Sequence, residues 1–205
     1  MISYLMKNVN QLENKIIEQA EQKIVNGVNV TALYGAIDAI RRSPTIAKFN
    51  FRANGRWLEG VHNQITVNEF YGAGQTHRRN RTFVYDEDEP PVLLGEDHGA
   101  NAGEYALIAL SSCLASTLIY YAAAHGVRIE EVETTVSGDI DLRGFLGLDE
   151  NVRNGYEKIK VDFKIKSDAQ REKIKELVEL AQKRSPVFDI VSHPTPVEIS
   201  LKDQE

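Results

Sequence analysis

Cysteine is nearly absent from this chain: Cys113 is the only one in 205 residues. A lone thiol forms no intrachain disulfide, which excludes a disulfide-framed secreted domain and suits a reducing compartment. Positive charge is in the minority, with 24 Lys+Arg against 30 Asp+Glu and a formal charge of −6. That balance offers no general attraction to phosphate backbones or anionic lipid, so neither nucleic acid nor a membrane is expected as a partner. The chain has no P-loop, no dinucleotide fingerprint and no Cys-x-x-Cys pair, and no cofactor is expected. Met1–Lys7 lacks the basic start and long apolar stretch of a signal peptide, so the expected location is cytoplasmic.

Long apolar runs are also scarce. The single one, Tyr105–Ala124, carries no charge and is about the length of a membrane span. Ser111, Ser112, Ser116 and Thr117 dilute it, and no basic cluster anchors either end. It reads as a helix buried on all sides of a core rather than a span.

Around that run the periodicities change several times. Residues 1–45 read as a helical extension of two amphipathic helices. In the first, Val9, Leu12, Ile16, Ala20 and Ile24 share a stripe, with Asn26-Gly27 as its stop. In the second, Val30, Leu33, Ile37 and Ile40 do so, and Ser43-Pro44 ends it. Residues 46–205 read as the main domain. Ala47–Ala53 alternates as a strand, Asn54-Gly55 offers a tight hairpin turn, and Arg56-Trp57 opens the return strand. Ile65–Phe70 and Arg81–Tyr85 are further strands, and the acidic run Asp86–Glu89 before Pro90-Pro91 reads as a solvated loop without a metal site. Gly126 follows the long helix as its C′ residue, and Val132–Ile140 is a strand. Tyr156–Lys166 alternates most cleanly, with Ile159, Val161, Phe163 and Ile165 on one face and lysines on the other. Ser167–Gln170 predicts a capping box for a helix to about Arg184, and Ser185-Pro186 breaks it. Val197–Leu201 closes the chain as a last alternating strand. Strands in runs rather than strict β-α alternation predict an α+β fold with a largely antiparallel sheet.

Candidate chemistry centres on the thiol. Cys113 lies about nine residues into its helix, roughly 13 Å from the start, so the helix dipole does little to activate it. A reactive thiolate there needs a cation or a donor from elsewhere in the fold. On composition alone, an unpaired cysteine on an apolar helix is most often a small core plug. His125 is twelve residues further on, about 18 Å along the axis, too far to serve as a base in the same subunit. His98 in the preceding loop is within conceivable reach. Ser185 with His193 and Asp189 lacks the Gly-x-Ser-x-Gly elbow of a serine hydrolase. Asp97 and His98 are adjacent and do not make a metal site by themselves.

Several segments together resemble the OsmC/Ohr family of osmotically inducible and organic-hydroperoxide-resistance proteins. Leu94-Gly-Glu-Asp-His-Gly-Ala-Asn-Ala-Gly-Glu-Tyr105, running into Ala109-Leu-Ser-Ser-Cys-Leu114, is similar to that family's loop and cysteine-bearing central helix. Ser137–Gly147 and Asn154-Gly-Tyr156 look like strand segments of its longer members, and Arg184–Asp189 occupies the place of its second-cysteine motif. The resemblance covers about residues 47–201. It implies an OsmC-like α+β domain, a sheet packed on two central helices, in an intertwined homodimer with sites at the subunit interface. It further implies thiol-dependent reduction of organic or hydrogen peroxide. In that cycle Cys113 matches the attacking cysteine, while Arg56 and Glu104 match the arginine and glutamate that polarise the thiolate and position the peroxide. The carboxylate assigned to catalysis in the hydroperoxide-resistance branch lies one position earlier, where this chain has Gly103. Ser185 stands where the family has its second cysteine, so the two-cysteine cycle is unavailable within one chain and is completed by an external thiol reductant or by the Cys113 thiols of two subunits meeting. The alternatives are a non-catalytic member binding a small apolar ligand at the dimer interface, and a structural dimer in which Cys113 is inert.

Overall fold

Asn26-Gly27 turns a hairpin instead of stopping a helix. In the computed structural model, which describes residues 22–202, β1 (Ile24–Val25) pairs antiparallel with β2 (Val28–Asn29). Asn26 and Gly27 both take positive φ, 51° and 75°, the backbone that a two-residue type I′ turn needs. The expected first helix otherwise lies outside the described residues. Helix α1 (Val30–Arg42) follows as expected, capped by the Asn29 side chain, which accepts the Ala32 N–H, and it ends at Ser43-Pro44. The Asn26 side chain donates to the Val127 carbonyl and accepts the Ile129 N–H, both at 2.9 Å. Tyr34 Oη donates to the Ala124 carbonyl.

A four-stranded antiparallel sheet comes next, built on β5. Strands β3 (Asn50–Phe51) and β4 (Asn54–Glu59) lie along one edge of β5 (His62–Gly72), and β6 (Gln75–Glu87) runs along the other. The expected turn at Asn54-Gly55 is absent: the two residues sit in β4, opposite Thr66 and Ile65. The chain reverses instead at Gly60 (φ 52°). The expected strand over Ala47–Ala53 is reduced to Asn50–Phe51, preceded by a 3-10 turn at Pro44–Ala47. Phe49, Phe51, Trp57 and Tyr71 are exposed on this sheet, and no helix of the described residues packs broadly against it.

The hydrophobic core lies in the second half. Helix α2 (Ala102–Ala124) buries Leu110, Leu114, Leu118 and Ala122 at i, i+4 spacing. β7 (Ile129–Asp139) pairs with β8 (Lys158–Ser167), matching Val132 with Ile165, Thr134 with Phe163 and Val136 with Val161. Between them is a short α3 (Leu142–Phe145). The outer face of the hairpin carries ion pairs such as Lys164–Glu133 and Lys166–Glu130, and the inner face meets α2 and α4 (Arg171–Arg184). Leu118 and Ala122 of α2 meet Leu177 and Ala181 of α4, with Val132, Ile165 and Ile174 around them. Burying each of those leucines contributes about 1.5–3 kcal/mol.

Three expectations are corrected here. Helix α2 is long and apolar enough to cross a membrane, but within the chain it is buried along one stripe only, and Ile108 and Tyr120 are 52% and 54% exposed. The capping box predicted at Ser167 does not form. Gln170 is the N-cap without a side-chain bond, because the Ser167 hydroxyl donates to the Arg128 carbonyl and accepts the Ala169 N–H. Val197–Leu201 is not a strand: its alternating Val197, Ile199 and Leu201 are almost fully exposed and find no partner edge. Ser185-Pro186 does break a helix, and it also starts a new one, α5 (Pro186–Ser192), with proline at its first position.

Candidate active site

Helix α2 is delivered by a tightly tied loop. Asp88, read from the sequence as part of a solvated run, is buried. Its carboxylate accepts the N–H groups of Glu89, Glu96 and His98 and the Nδ1–H of His98, at 2.8–3.2 Å. The His98 bond above all, with the backbone donors, holds the Asp88 carboxyl down at about 2, and Asp88 in turn raises His98. The His98 ring stacks flat on His62, centroids 4.4 Å apart and planes 2° apart. His62 Nε2 donates to Asp86 at 3.0 Å, which with Gln64 lowers the Asp86 carboxyl. Leu94 and Asp97 take left-handed conformations within the loop. Among the described residues no three His, Cys, Asp or Glu side chains are arranged to hold a metal ion.

The loop ends in a capping box. Asn101 Oδ1 accepts the Glu104 N–H at 2.8 Å, and Glu104 Oε2 accepts the Asn101 N–H at 2.9 Å. Glu104 therefore braces the first turn of α2, nine positions before Cys113. At Gly103 a Cβ would sit 2.9 Å from Tyr156 Oη. That phenol fills the place where a side chain at 103 would stand. Burial, and then the Glu104 charge, raises the Tyr156 hydroxyl.

Cys113 is half-buried on α2, and its Sγ accepts a hydrogen bond from Ser185 Oγ at 3.1 Å. Ser185 is buried at the junction of α4 and α5, 72 positions along the chain. Its oxygen also accepts the Phe188 N–H at 3.1 Å, capping α5. The fold thus brings Ser185 and Cys113 together. It does not assemble a serine hydrolase, since His193 pairs with Asp189 and Ser192 while the Ser185 hydroxyl points at sulfur. His98 is engaged elsewhere, its Nδ1 on Asp88 and its Nε2 3.8 Å from Glu96, while the hydrogen bond to the Cys113 sulfur comes from Ser185. Arg56 stands exposed on β4 opposite Gln64, in the sheet on which no helix of the described residues packs broadly. One turn before Cys113 an open cleft of about 340 Å³ is lined by Leu107, Ile108, Ser111, Ser112 and Val136. Sequence reasoning missed the Asp88–His98–His62 cluster and the Ser185 donor, because neither has a short-range spacing. The one local signal was Ser-Pro, which marks a helix start as well as a stop.

Comparisons with known proteins add a frame to this geometry. A family model described as OsmC-like protein matches residues 95–200, which include Cys113 and Ser185. An OsmC like protein from Mycoplasma pneumoniae is similar in structure over 71% of this chain and 89% of its own, with a TM-score of 0.55 and 16% identity. A putative osmotic stress induced and detoxification response protein from Psychrobacter arcticus 273-4 is similar over 69% and 88%, with a TM-score of 0.51 and 11% identity. At such identities the likeness concerns the fold. Among curated proteins nothing matches the chain.

Proposed function

The chain belongs to the OsmC-like protein family, and from that premise we propose that it is a single-cysteine peroxidase in which Cys113 reduces organic or hydrogen peroxide. The observation that carries this reading is the half-buried Cys113 whose sulfur accepts a hydroxyl donor within the family-matched segment. The thiolate attacks one peroxide oxygen, an S–O bond forms and the O–O bond breaks. Sulfur loses two electrons and becomes a sulfenic acid, and the leaving alkoxide or hydroxide takes up a proton. An external thiol then condenses with the sulfenic acid, releasing water and leaving a mixed disulfide. A second external thiol displaces Cys113 and restores it. No intrachain thiol competes, since Cys113 is the only cysteine.

The working unit is a homodimer in the cytoplasm. Two surfaces that the other described residues leave open support the dimer: the outer faces of α2, with Ile108 and Tyr120 half-exposed, and the four-stranded sheet with exposed Phe49 and Phe51. Together they exceed the scattered single apolar residues usual on a monomer. Laying the sheet of one copy on the helix of another brings Arg56 toward the partner's thiol, where a guanidinium favours thiolate chemistry. Glu104 acts in this scheme by fixing the start of α2.

Reduced protein treated with one equivalent of tert-butyl hydroperoxide or hydrogen peroxide, with a sulfenate trap and intact mass, tests the proposal. Trapping at Cys113 well above the rate of free cysteine, absent in Cys113→Ser, is the expected result. A rate no greater than that of free cysteine sinks it. The second reading, a non-catalytic protein binding a small apolar ligand, is favoured by the cleft over Leu107, Ile108 and Val136 and by Gly103 and Ser185. A co-purifying ligand in native mass spectrometry, with an inert thiol, is its signature.

A further inference from the structure

Ser185 is 2% exposed, and a hydroxyl so buried is costly unless paired. Its backbone carbonyl accepts the Asp189 N–H at 3.0 Å. The backbone N–H donates to the Ala181 carbonyl at 2.9 Å, the last bond of α4. The side-chain oxygen accepts the Phe188 N–H, the first bond of α5. That leaves the hydroxyl proton, and it is directed at Cys113 Sγ. A hydroxyl has one donor and two acceptor sites, so accepting from Phe188 fixes the rotor without using the proton. Accepting an N–H also polarises the O–H and strengthens it as a donor. Its bond to sulfur is an ordinary neutral one while Cys113 is a thiol, and becomes charge-assisted when the sulfur is a thiolate.

We propose that Ser185 is a positioning residue that acts through Cys113. Its hydroxyl donates to the thiolate, favouring the charged sulfur and leaving the remaining lone pairs to face the reactant. This assignment rests on the reading of Cys113 as the reacting group. The serine gives up no proton and no electrons in the cycle; it stays a donor to sulfur before and after oxygen transfer. A cysteine in its place would be a weaker donor and would itself be oxidised.

The test measures iodoacetamide alkylation of Cys113 at neutral pH by intact mass, together with the ultraviolet absorbance of the thiolate, with Cys113→Ser as the blank. Ser185→Gly is the main variant, because glycine at an N-cap is tolerated nearly as well as serine and α5 keeps its start. Ser185→Ala is the second removal, and Ser185→Thr restores a hydroxyl. Both removals are expected to lower the thiolate signal about tenfold, the factor expected when one hydrogen bond to a charged group is lost, and to slow alkylation about threefold, because the thiolate freed of that bond is the stronger nucleophile. Threonine is expected to recover both. Equal rates in wild type and Ser185→Gly, or loss in Ser185→Thr equal to that in Ser185→Gly, overturn the assignment. Peroxide takes no part in this assay. A wild-type thiol inert to peroxide would overturn the function proposed above, while only the alkylation series bears on the serine.

Discussion

Replacing Ser185 by cysteine should convert the hydrogen bond to Cys113 into a disulfide. The Ser185 Oγ to Cys113 Sγ distance is 3.1 Å, and a disulfide needs about 2.05 Å between sulfurs. The longer C–S bond of cysteine covers part of that gap, and a modest side-chain rotation covers the rest. The two positions are 72 apart in sequence. On the chain-entropy estimate, closing a loop of that size stabilises by about 4 kcal/mol. Losing the serine cap on α5 costs about 1 kcal/mol in both redox states. For a chain of this length 1 kcal/mol moves Tm by roughly 2–4 °C. Oxidised Ser185→Cys should therefore melt on the order of 10 °C above its reduced form, which itself melts a few degrees below wild type. One equivalent of peroxide should suffice to oxidise it, read as loss of both free thiols on non-reducing gels and in intact mass. If the variant keeps two titratable thiols after that treatment, or oxidises only between chains, Ser185 and Cys113 do not face each other and the site described above is wrong.

Other outcomes follow from the same geometry. The pairing of Asp88 with His98 gives a bounded pH window. The lowered Asp88 contributes stability above its unfolded value of 3.8, lost as pH falls toward about 2, and the raised His98 contributes fully below 6.5 and loses it as pH rises through its folded value. His98 also faces the His62 ring and the Glu96 and Asp86 carboxylates, and Asp88→Asn should thus lower Tm most between pH 4 and 6.5; a deficit that is flat from pH 4 to 8 contradicts the pairing. Gly99→Ala should destabilise by about 3 kcal/mol, since its Cβ would overlap the Asp86 carbonyl, a backbone atom that has nowhere to go. Gly55→Ala meets nothing within 4 Å and should leave the denaturation midpoint unchanged; a large loss there would mean that Asn54-Gly55 is a turn after all. Ile108→Glu lies on an exposed part of α2 and would be harmless in a monomer. Conversion of a dimer to monomers by light scattering is expected, and an unchanged mass and Tm would count against the homodimer.

Much of the second half was legible in the sequence because one face of each element is buried by its own chain. Ile159, Val161, Phe163 and Ile165 alternate with lysines because α2 and α4 cover one side and water the other. Two of the three Asn-Gly pairs, Asn26-Gly27 and Asn54-Gly55, show where local chemistry stops deciding. Both can form a type I′ turn, yet only Asn26-Gly27 does. Asn54-Gly55 is drawn into the ladder opposite Thr66 and Ile65 by the longer strand β5. Val197–Leu201 has strand periodicity, but a strand exists only with a partner edge, which periodicity cannot reveal. At the site, Cys113 stood out as the only thiol, and Ser185 through the family resemblance. Their hydrogen bond did not, because a contact across 72 residues has no spacing to read.

The Asn26 side chain joins the N-terminal hairpin to Val127 and Ile129, contacts that span 101 and 103 residues. During synthesis at about 5–20 residues per second, the hairpin emerges roughly 5–20 s before the residues that receive it. Two-residue strands with a single turn between them have no independent stability in water. The beginning of the described chain is accordingly among the last parts to acquire its place. It docks only after the end of α2 and the start of β7 have left the ribosome, which makes β1 and β2, the earliest strands of the described residues, a late step in folding.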